Sequence, residues 1–151
     1  TAELPSMENT KPVRVLTALE SLGSMIFLAM NSVVHRNWLI SDVETNFLPA
    51  LSTGQCKIYF AAPDRPIAFV TWATIDDTTH FKLLKDGITP HESKWASGKN
   101  LWFIDVVAPF GDSVMVIRDM RENYFSGQNA YSIRRNADGS IKRFQRWFNV
   151  R

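Results

Sequence analysis

The sequence contains few of the residues on which several classes of protein depend. Cys56 is the only cysteine among 151 residues, so no intrachain disulfide can form and nothing indicates an oxidising compartment. That cysteine and the three histidines show no metal-ligand spacing, so no metal site is expected. The glycines form no phosphate-binding loop, because "GDS" and "DGS" lack the flanking glycines and lysine. The apolar run "MIFLAM" (25–30) is too short to cross a bilayer, so no stable membrane insertion is expected.

The composition suits one globular domain. Hydrophobic residues make up 45% of the chain, and the formal net charge is +2 with a pI near 8.8. We expect a lead-in over residues 1–12 and a single domain over 13–151, with one substantial core. The first dozen residues are polar and contain proline, unlike a signal peptide, so a soluble intracellular protein is expected.

Hydrophobic spacing predicts the first helices. From Val13, apolar residues recur with helical spacing up to Val33, and Gly23 need not interrupt that helix. "SDVE" (41–44) predicts a capping box in which Ser41 caps a second helix. Pro49 is expected inside or near the end of that helix, and Gly54 should terminate it.

The rest of the chain predicts a sheet. Two β-rich runs, 55–62 and 66–75, flank the turn "PDR" and indicate an antiparallel hairpin. "ADG" marks a second hairpin between 130–136 and 140–150. Between the hairpins we predict a helix near 78–85, a strand at 101–108 and a helix over 113–125 capped by Asp112. This order indicates an α+β or mixed α/β domain with one central sheet.

Two residues stand out as chemical candidates. Asp105 lies at the centre of the apolar strand in "LWFIDVVAPFGD" (101–112), where an unpaired carboxylate costs several kcal/mol or more. It is either a buried ion-pair partner of an arginine such as Arg36 or Arg134, or a catalytic group. His35 opens "HRNW" at a junction between two helices. It either binds a helix C-terminal carbonyl or takes part in chemistry.

Other polar groups have less distinctive surroundings. Asn46 is interpreted as a surface residue, with an inward amide that binds a carbonyl oxygen as the alternative. Cys56 lies in an apolar strand, where thiols are commonly inert, although a Cys–His pair stays open. His80 and His91 are predicted to be surface residues.

The C-terminal part is basic and aromatic. Six basic residues follow one another against a single acid, Asp138, and four aromatic residues interleave with them. This pattern fits nucleic acid, an acidic protein partner or a solvated strand face. The basic residues are Arg134, Arg135, Lys142, Arg143, Arg146 and Arg151, and the aromatic ones are Tyr131, Phe144, Trp147 and Phe148.

Six motifs together resemble one family. "HRNW", "NFLPAL", "FVTWAT", "SGKNLWFIDVVAPFGD", "MRENYF" and "YSIRRN" occur in this order. From about Val13 to about Phe148 the chain resembles the RTX toxin-activating lysine acyltransferases, whose best-known members activate haemolysins. The resemblance implies a GNAT-like α+β domain with a central, largely antiparallel sheet flanked by helices. It also implies cytoplasmic transfer of a fatty acyl chain from acyl carrier protein to internal lysines of an RTX protoxin, with no other cofactor, no nucleic acid and a plausible homodimer.

The resemblance also implies roles for individual residues. The family's essential histidine and aspartate fall on His35 and Asp105, and an implicated asparagine falls on Asn46. A serine once considered for a role falls on Ser32. Ser32 is also an expected substrate-binding residue, together with Arg36, Thr71, Trp72 and Arg134. The chain departs from the family at Leu39 (often proline), Thr71 (often serine) and Val106–Val107 (often Trp-Ile), which leaves the substrate and the acyl length open.

The implied chemistry is consistent with these residue types. A lysine must lose its proton to attack a thioester, and an imidazole suits that step. Asp105 would orient His35 and stabilise its charged form, while Asn46 would bind the developing oxyanion. A covalent acyl-His35 route stays open. The rival functions are an acyl-CoA-dependent GNAT-like enzyme, although "APFGD" stands where the glycine-rich pyrophosphate loop is usual, and a non-catalytic nucleic-acid or chaperone-like module.

Overall fold

A five-stranded sheet organises the part of the chain that the computed structural model describes, residues 15–147. All neighbouring strands are antiparallel except β3 and β4, which are parallel. The predicted α+β fold with a central, largely antiparallel sheet is therefore confirmed, as are both hairpins. The expected lead-in over 1–12 lies outside the described residues. In spatial order the strands are β1 (Cys56–Ala62), β2 (Arg65–Ile75), β3 (Asn100–Val107), β4 (Ala130–Arg135) and β5 (Ile141–Trp147).

Helices connect and cover these strands, and none within 15–147 has the length and apolar character needed to span a membrane. The predicted helix near 78–85 is confirmed as α4. A 3₁₀ turn (Glu92–Lys94) precedes β3, and a π-helical turn (Met120–Tyr124) continues α5. The helices are α1 (Ala18–Met30), α2 (Ile40–Asn46), α3 (Leu48–Thr53), α4 (Asp77–Asp86) and α5 (Ser113–Asp119).

Helix α1 begins later than the spacing predicts. Thr17 caps it, because its hydroxyl accepts from the Glu20 N–H at 3.1 Å and the Glu20 carboxylate accepts from the Thr17 N–H. Val15 lies ahead of the helix, so the predicted start was wrong. The helix is apolar on nearly every side, and its buried face carries Met25 and Leu28 rather than the early part of the predicted stripe.

Two predicted helix caps were also wrong. Ser41 lies inside α2, whose first turn is instead closed by Asp42, which accepts from the Leu39 N–H at 2.8 Å. The chain then starts a new helix, α3, with Pro49 in its first turn, where a missing N–H costs nothing, and Gly54 ends it in the left-handed region as predicted. Asp112 precedes α5 without a side-chain capping bond.

A β-bulge sets the direction of the Asp105 side chain. Thr71 pairs with Asp105 and Trp72 with Phe103, which leaves Ile104 without an opposite residue. Phe103 packs on the face covered by α5, and strict alternation would place Asp105 there as well. The extra residue shifts the alternation, so Asp105 and Val107 face the side covered by α1.

A gap opens between β3 and β4. Their parallel pairing is limited to Trp102 with Tyr131 and Phe103 with Ser132. The next residues of β3 are the bulge and Asp105, so the two strands separate at the level of that carboxylate. The bulge and the gap together bring an acid to an opening in the middle of the sheet.

Candidate active site

Three side chains form one chain of hydrogen bonds at this opening. The Ser32 hydroxyl lies 2.7 Å from His35 Nδ1, and His35 Nε2 lies 2.7 Å from Asp105 Oδ1. Ser32 and His35 belong to the turn that follows α1, where the His35 N–H donates to the Ser32 carbonyl at 3.1 Å. His35 is buried, with 8% of its surface exposed. The predicted alternative of an arginine partner for Asp105 is wrong, since the partner is His35.

The partners of the imidazole fix its tautomer. An ionised carboxylate can only accept a hydrogen bond, so Nε2 carries the hydrogen that Asp105 binds. In the neutral ring Nδ1 is then the acceptor, and it faces the Ser32 hydroxyl. The basic nitrogen of His35 is therefore Nδ1, while Asp105 stabilises the charge that appears when this nitrogen takes a proton.

Asp105 has one oxygen in use and one without a partner. Its backbone N–H donates to the Thr71 hydroxyl at 3.1 Å, which anchors the bulge. Among residues 15–147, Oδ2 of Asp105 is a buried side-chain oxygen that lacks any hydrogen-bond partner. Such an atom costs roughly 1–3 kcal/mol, so the arrangement is suited to a donor that arrives with a substrate.

Trp38 packs the imidazole into place. Its ring lies 4.5 Å from the His35 ring, centre to centre, and 5.5 Å from that of Phe47, which in turn meets Phe69 on β2. This series of aromatic contacts connects the turn that carries His35 to the sheet. Trp38 belongs to "HRNW" but was not predicted as a site residue; its spacing of three from the histidine was the available signal.

Among residues 15–147, the hydrogen bonds of the Asn46 side chain go to Asp42 and Thr89, not to His35 or Asp105. Asn46 is half-buried, its amide nitrogen donates to the Asp42 carbonyl at 2.8 Å, and its amide oxygen accepts from the Thr89 hydroxyl. Together with Asp105 it lines a cavity of only about 20 Å³. The surface interpretation was wrong, and one amide hydrogen remains beyond the bond to Asp42.

Of the five expected substrate-binding residues, Ser32 contacts His35, and the other four lie apart from one another in the structure. Thr71 is fully buried and holds the Asp105 backbone, so it supports the site and has no access to substrate. Trp72 packs on the opposite face of the sheet, 5.4 Å from the Phe125 ring. Arg36 is exposed on the turn beside His35, and Arg134 is exposed on β4. Of these four, Arg134 lines the same cavity as His35 and Asp105.

That cavity, of about 270 Å³, passes between β3 and β4. Its walls come from both faces of the sheet: His35 and Asp105 on the α1 side, and Ile117 of α5 and Trp147 of β5 on the other. The gap between the strands explains how residues from opposite faces share one space. The cavity has a mixed lining, in which apolar side chains such as Phe103 and Ile117 could contact a long apolar part of a substrate that reacts at the imidazole–carboxylate pair.

Outside the cavity, two sequence interpretations have clear outcomes. His80 was predicted on the surface and is buried instead, where its Nδ1 accepts from the Trp102 indole N–H at 2.9 Å. Burial lowers its pKa, because desolvation disfavours the charged ring. His91 is exposed, as predicted. Burial raises the pKa of Cys56 to about 12, which supports an inert thiol.

Fold and site together define a class of protein: an α+β domain in which a hydroxyl–imidazole–carboxylate series opens on a cavity with a mixed polar and apolar lining. Residues 14–148 match the family model described as the RTX toxin acyltransferase family, and the chain belongs to that family.

The curated relatives are similar over much of the chain. The protein-lysine myristoyltransferase RtxC of Kingella kingae is 38% identical over 70% of this chain and 63% of its own length. The RTX-I toxin-activating lysine-acyltransferase ApxIC of Actinobacillus pleuropneumoniae is 36% identical over 72% of this chain and 63% of its own. The protein-lysine myristoyltransferase HlyC of Escherichia coli is 36% identical over 70% and 62%. The match therefore spans less than two thirds of each of these relatives.

Proposed function

We propose that this chain transfers a fatty acyl group from acyl carrier protein to the ε-amino group of internal lysines of an RTX protoxin. The observation that carries the proposal is the series Ser32–His35–Asp105, with its unpartnered carboxylate oxygen, beside a cavity whose lining includes apolar side chains. The printed names of the relatives, which are lysine acyltransferases, support the reaction class. The compartment we propose is the cytoplasm, before the toxin is exported.

The reaction needs a base, and Nδ1 of His35 supplies it. The lysine first releases its ammonium proton to solvent. The nitrogen of the neutral amine then attacks the thioester carbonyl carbon and loses one further proton through the Ser32 hydroxyl, which passes its own proton to Nδ1. The carbon–sulfur bond then breaks, and the leaving thiolate takes the proton from the imidazolium. The products are an amide and the free thiol of the donor, so atoms and charges balance.

Asp105 serves both partners of the reaction. Its Oδ1 stabilises the imidazolium, and its open Oδ2 accepts an N–H from the incoming lysine, which orients the nitrogen lone pair. Asn46, which lines a small cavity together with Asp105, is proposed to donate its remaining amide hydrogen to the thioester oxygen as negative charge develops there.

General-base catalysis is the route that this geometry favours over acylation of the histidine. Nδ1 is hydrogen-bonded to Ser32, so a covalent route would first have to displace that hydroxyl. The purified chain should be incubated with acyl donor alone, and its tryptic peptides analysed by mass spectrometry. We expect no acyl group on His35; an adduct there that disappears on addition of a lysine peptide would establish the covalent route instead.

Donor recognition is proposed to involve charge. Arg134 is exposed at the rim of the cavity, and Arg143 lies directly opposite it on β5. Acyl carrier proteins are acidic, so two arginines side by side favour their approach. Acyl-CoA is the competing donor, and supplying each donor separately with the same acyl chain distinguishes the two enzymes.

A second copy of the chain is the remaining proposed partner. Helix α1 exposes apolar side chains that include Leu19, Phe27 and Met30, a face that a homodimer would cover. Sedimentation at several concentrations measures this, and Phe27→Glu should reduce any dimer without touching the cavity.

The function itself is tested by co-expression with a candidate RTX protoxin. Intact-mass and peptide analysis should show lysines carrying a fatty acyl group when the chain is present. The matched sample carries His35→Ala and should show none. The proposed function would be contradicted if the protoxin were unmodified in both samples and no other RTX protoxin tested were acylated.

A further inference from the structure

The cavity between β3 and β4 has a closed end and an open end. At the level of Asp105 the strands have separated, and Arg134 and the catalytic pair surround the opening. Trp147 pairs with Ala130, one residue before the Tyr131–Trp102 pair, so it lies at the level of Leu101. Four residues of strand correspond to roughly 13 Å. The end that Trp147 lines is therefore about four residues of strand away from the reacting groups.

Two aromatic rings form the wall at the closed end. The Trp147 and Phe103 rings are 5.0 Å apart, centre to centre, and the indole N–H donates to the Ser132 hydroxyl at 2.9 Å. Behind them lies a second, water-sized cavity of about 20 Å³, which Phe103 and Trp147 also line together with Met120 and Phe125. The same two side chains thus separate the large cavity from the small one.

We propose that the acyl tail of the donor runs from His35 into the large cavity, and that Trp147 is the residue that limits its length. The inference rests on the proposed function for the identity of the ligand. A methylene chain could follow the apolar part of the wall, which Phe103, Ile117, Ile133 and Trp147 form beside polar residues that include Ser132 and Gln145. Phe103 is buried in the core, whereas Trp147 lies on the edge strand β5. A substitution of Trp147 should therefore cost less stability than a substitution of Phe103.

The inference makes opposite predictions for two substitutions. Trp147→Ala removes the partition and joins the two cavities, so longer chains should gain. Ser113→Phe, at the start of α5 where Ser113 lines the large cavity, fills space and should favour shorter chains. Phe144→Ala is the matched control, since Phe144 lies on the same strand but does not line this cavity.

The test measures binding without turnover. Calorimetric titration uses saturated acyl-pantetheine analogues in which an amide replaces the thioester, from decanoyl to octadecanoyl. In the unmodified chain, affinity should rise with length and then stop rising, because each buried methylene contributes roughly a factor of four. Trp147→Ala should move that limit by two methylenes, so that the first chain beyond the original limit gains about tenfold.

The outcomes separate the inference from the function. A limit that is identical in Trp147→Ala, Ser113→Phe and the control, or failure of all analogues to bind, overturns the inference. If Trp147→Ala does not fold, the shift of Ser113→Phe to shorter chains decides the matter alone. If lysines are acylated but the length limit is unchanged, the proposed function stands and the role of Trp147 is refuted. If the length limit shifts but no lysine is acylated, the role of Trp147 stands and the proposed function is refuted.

Discussion

Two acid–base pairs in this molecule have the same length and opposite character. His35 Nε2 lies 2.7 Å from Asp105 Oδ1, and Lys57 Nζ lies 2.7 Å from Asp119 Oδ2. Asp119 uses both oxygens, since Tyr59 also donates to Oδ2 and Asn123 donates to Oδ1 at 2.8 Å. Asp105 leaves Oδ2 buried and without a partner among the described residues.

The difference runs against what stability alone would favour. The side chains of His35 and Asp105 are 7% and 11% exposed, whereas those of Lys57 and Asp119 are 32% and 18% exposed. The more deeply buried carboxylate is therefore the less satisfied one, although burial makes an unmade hydrogen bond more costly. A complete network fixes β1 to the end of α5, and an incomplete one leaves a position for a ligand.

The largest expected effect is on the imidazole. His35→Ala removes the base and should lower acyl transfer by at least about a thousandfold. The melting temperature should fall only modestly, because Trp38 and Phe47 still close the surrounding core. Transfer rate and melting temperature are measured on one preparation, with the exposed His91→Ala as control. A folded variant that keeps about a tenth of the activity would show that His35 is not the base.

The second-largest effect should distinguish Asp105 from Asp119 by their influence on the rate of acyl transfer. Asp105→Asn keeps the shape and removes the charge that supports the imidazolium, so the rate should fall by ~10²–10⁴-fold with little loss of stability. Asp119→Asn is the matched comparison and should leave the rate nearly unchanged. Equal effects on rate would mean that the open oxygen of Asp105 does not mark the reacting site.

How far the sequence could predict this site depends on the kind of contact involved. Local patterns predicted the hairpins, the break at Gly54 and the position of Asp105 in a buried strand. They did not predict the direction of Asp105, because a one-residue bulge at Ile104 decides it and no composition signal marks that bulge. His80 was predicted on the surface because its neighbours in the sequence are polar. Its spacing of three from Leu83 places it on the buried face of α4 instead. The family resemblance, not residue chemistry, joined His35 to Asp105 across 70 positions.

The third prediction concerns stability and pH. Burial alone would raise the pKa of Asp119, but hydrogen bonds from Lys57, Tyr59 and Asn123 outweigh it and lower that pKa from 3.8 to about 2. A lowered folded-state pKa stabilises the fold above the unfolded pKa, and that stability is lost as the pH falls from about 4 towards 2. Asp119→Asn should therefore lower the free energy of unfolding at neutral pH by about 2 kcal/mol.

Denaturant titrations from pH 2 to pH 7 measure this directly. The unmodified chain should lose stability through the acid range, and Asp119→Asn should show a flatter curve there. Glu122→Gln, on the exposed side of the neighbouring turn, is the control and should follow the unmodified chain. A parallel acid dependence in Asp119→Asn would assign the lost stability to other groups.

The smallest effect is expected at the basic hairpin, where the structure shows which arginines lie side by side. Arg134 and Arg143 face one side of the sheet as a cross-strand pair, whereas Arg146 pairs with Tyr131 and lies over its ring on the other side. Exposed charges act weakly one by one, so the double variant Arg134→Glu/Arg143→Glu is needed. It should raise the KM for acyl carrier protein severalfold at low salt and leave turnover at saturating donor nearly unchanged. The effect should shrink as salt rises, because exposed charges are screened.

Lys82→Glu/Lys85→Glu on α4 reverses the same charge elsewhere and should not raise the KM. If both double variants behave alike, net charge rather than the rim of the cavity governs the encounter, and the contrast between a site open to ligands and a surface that merely carries charge would not extend to this hairpin.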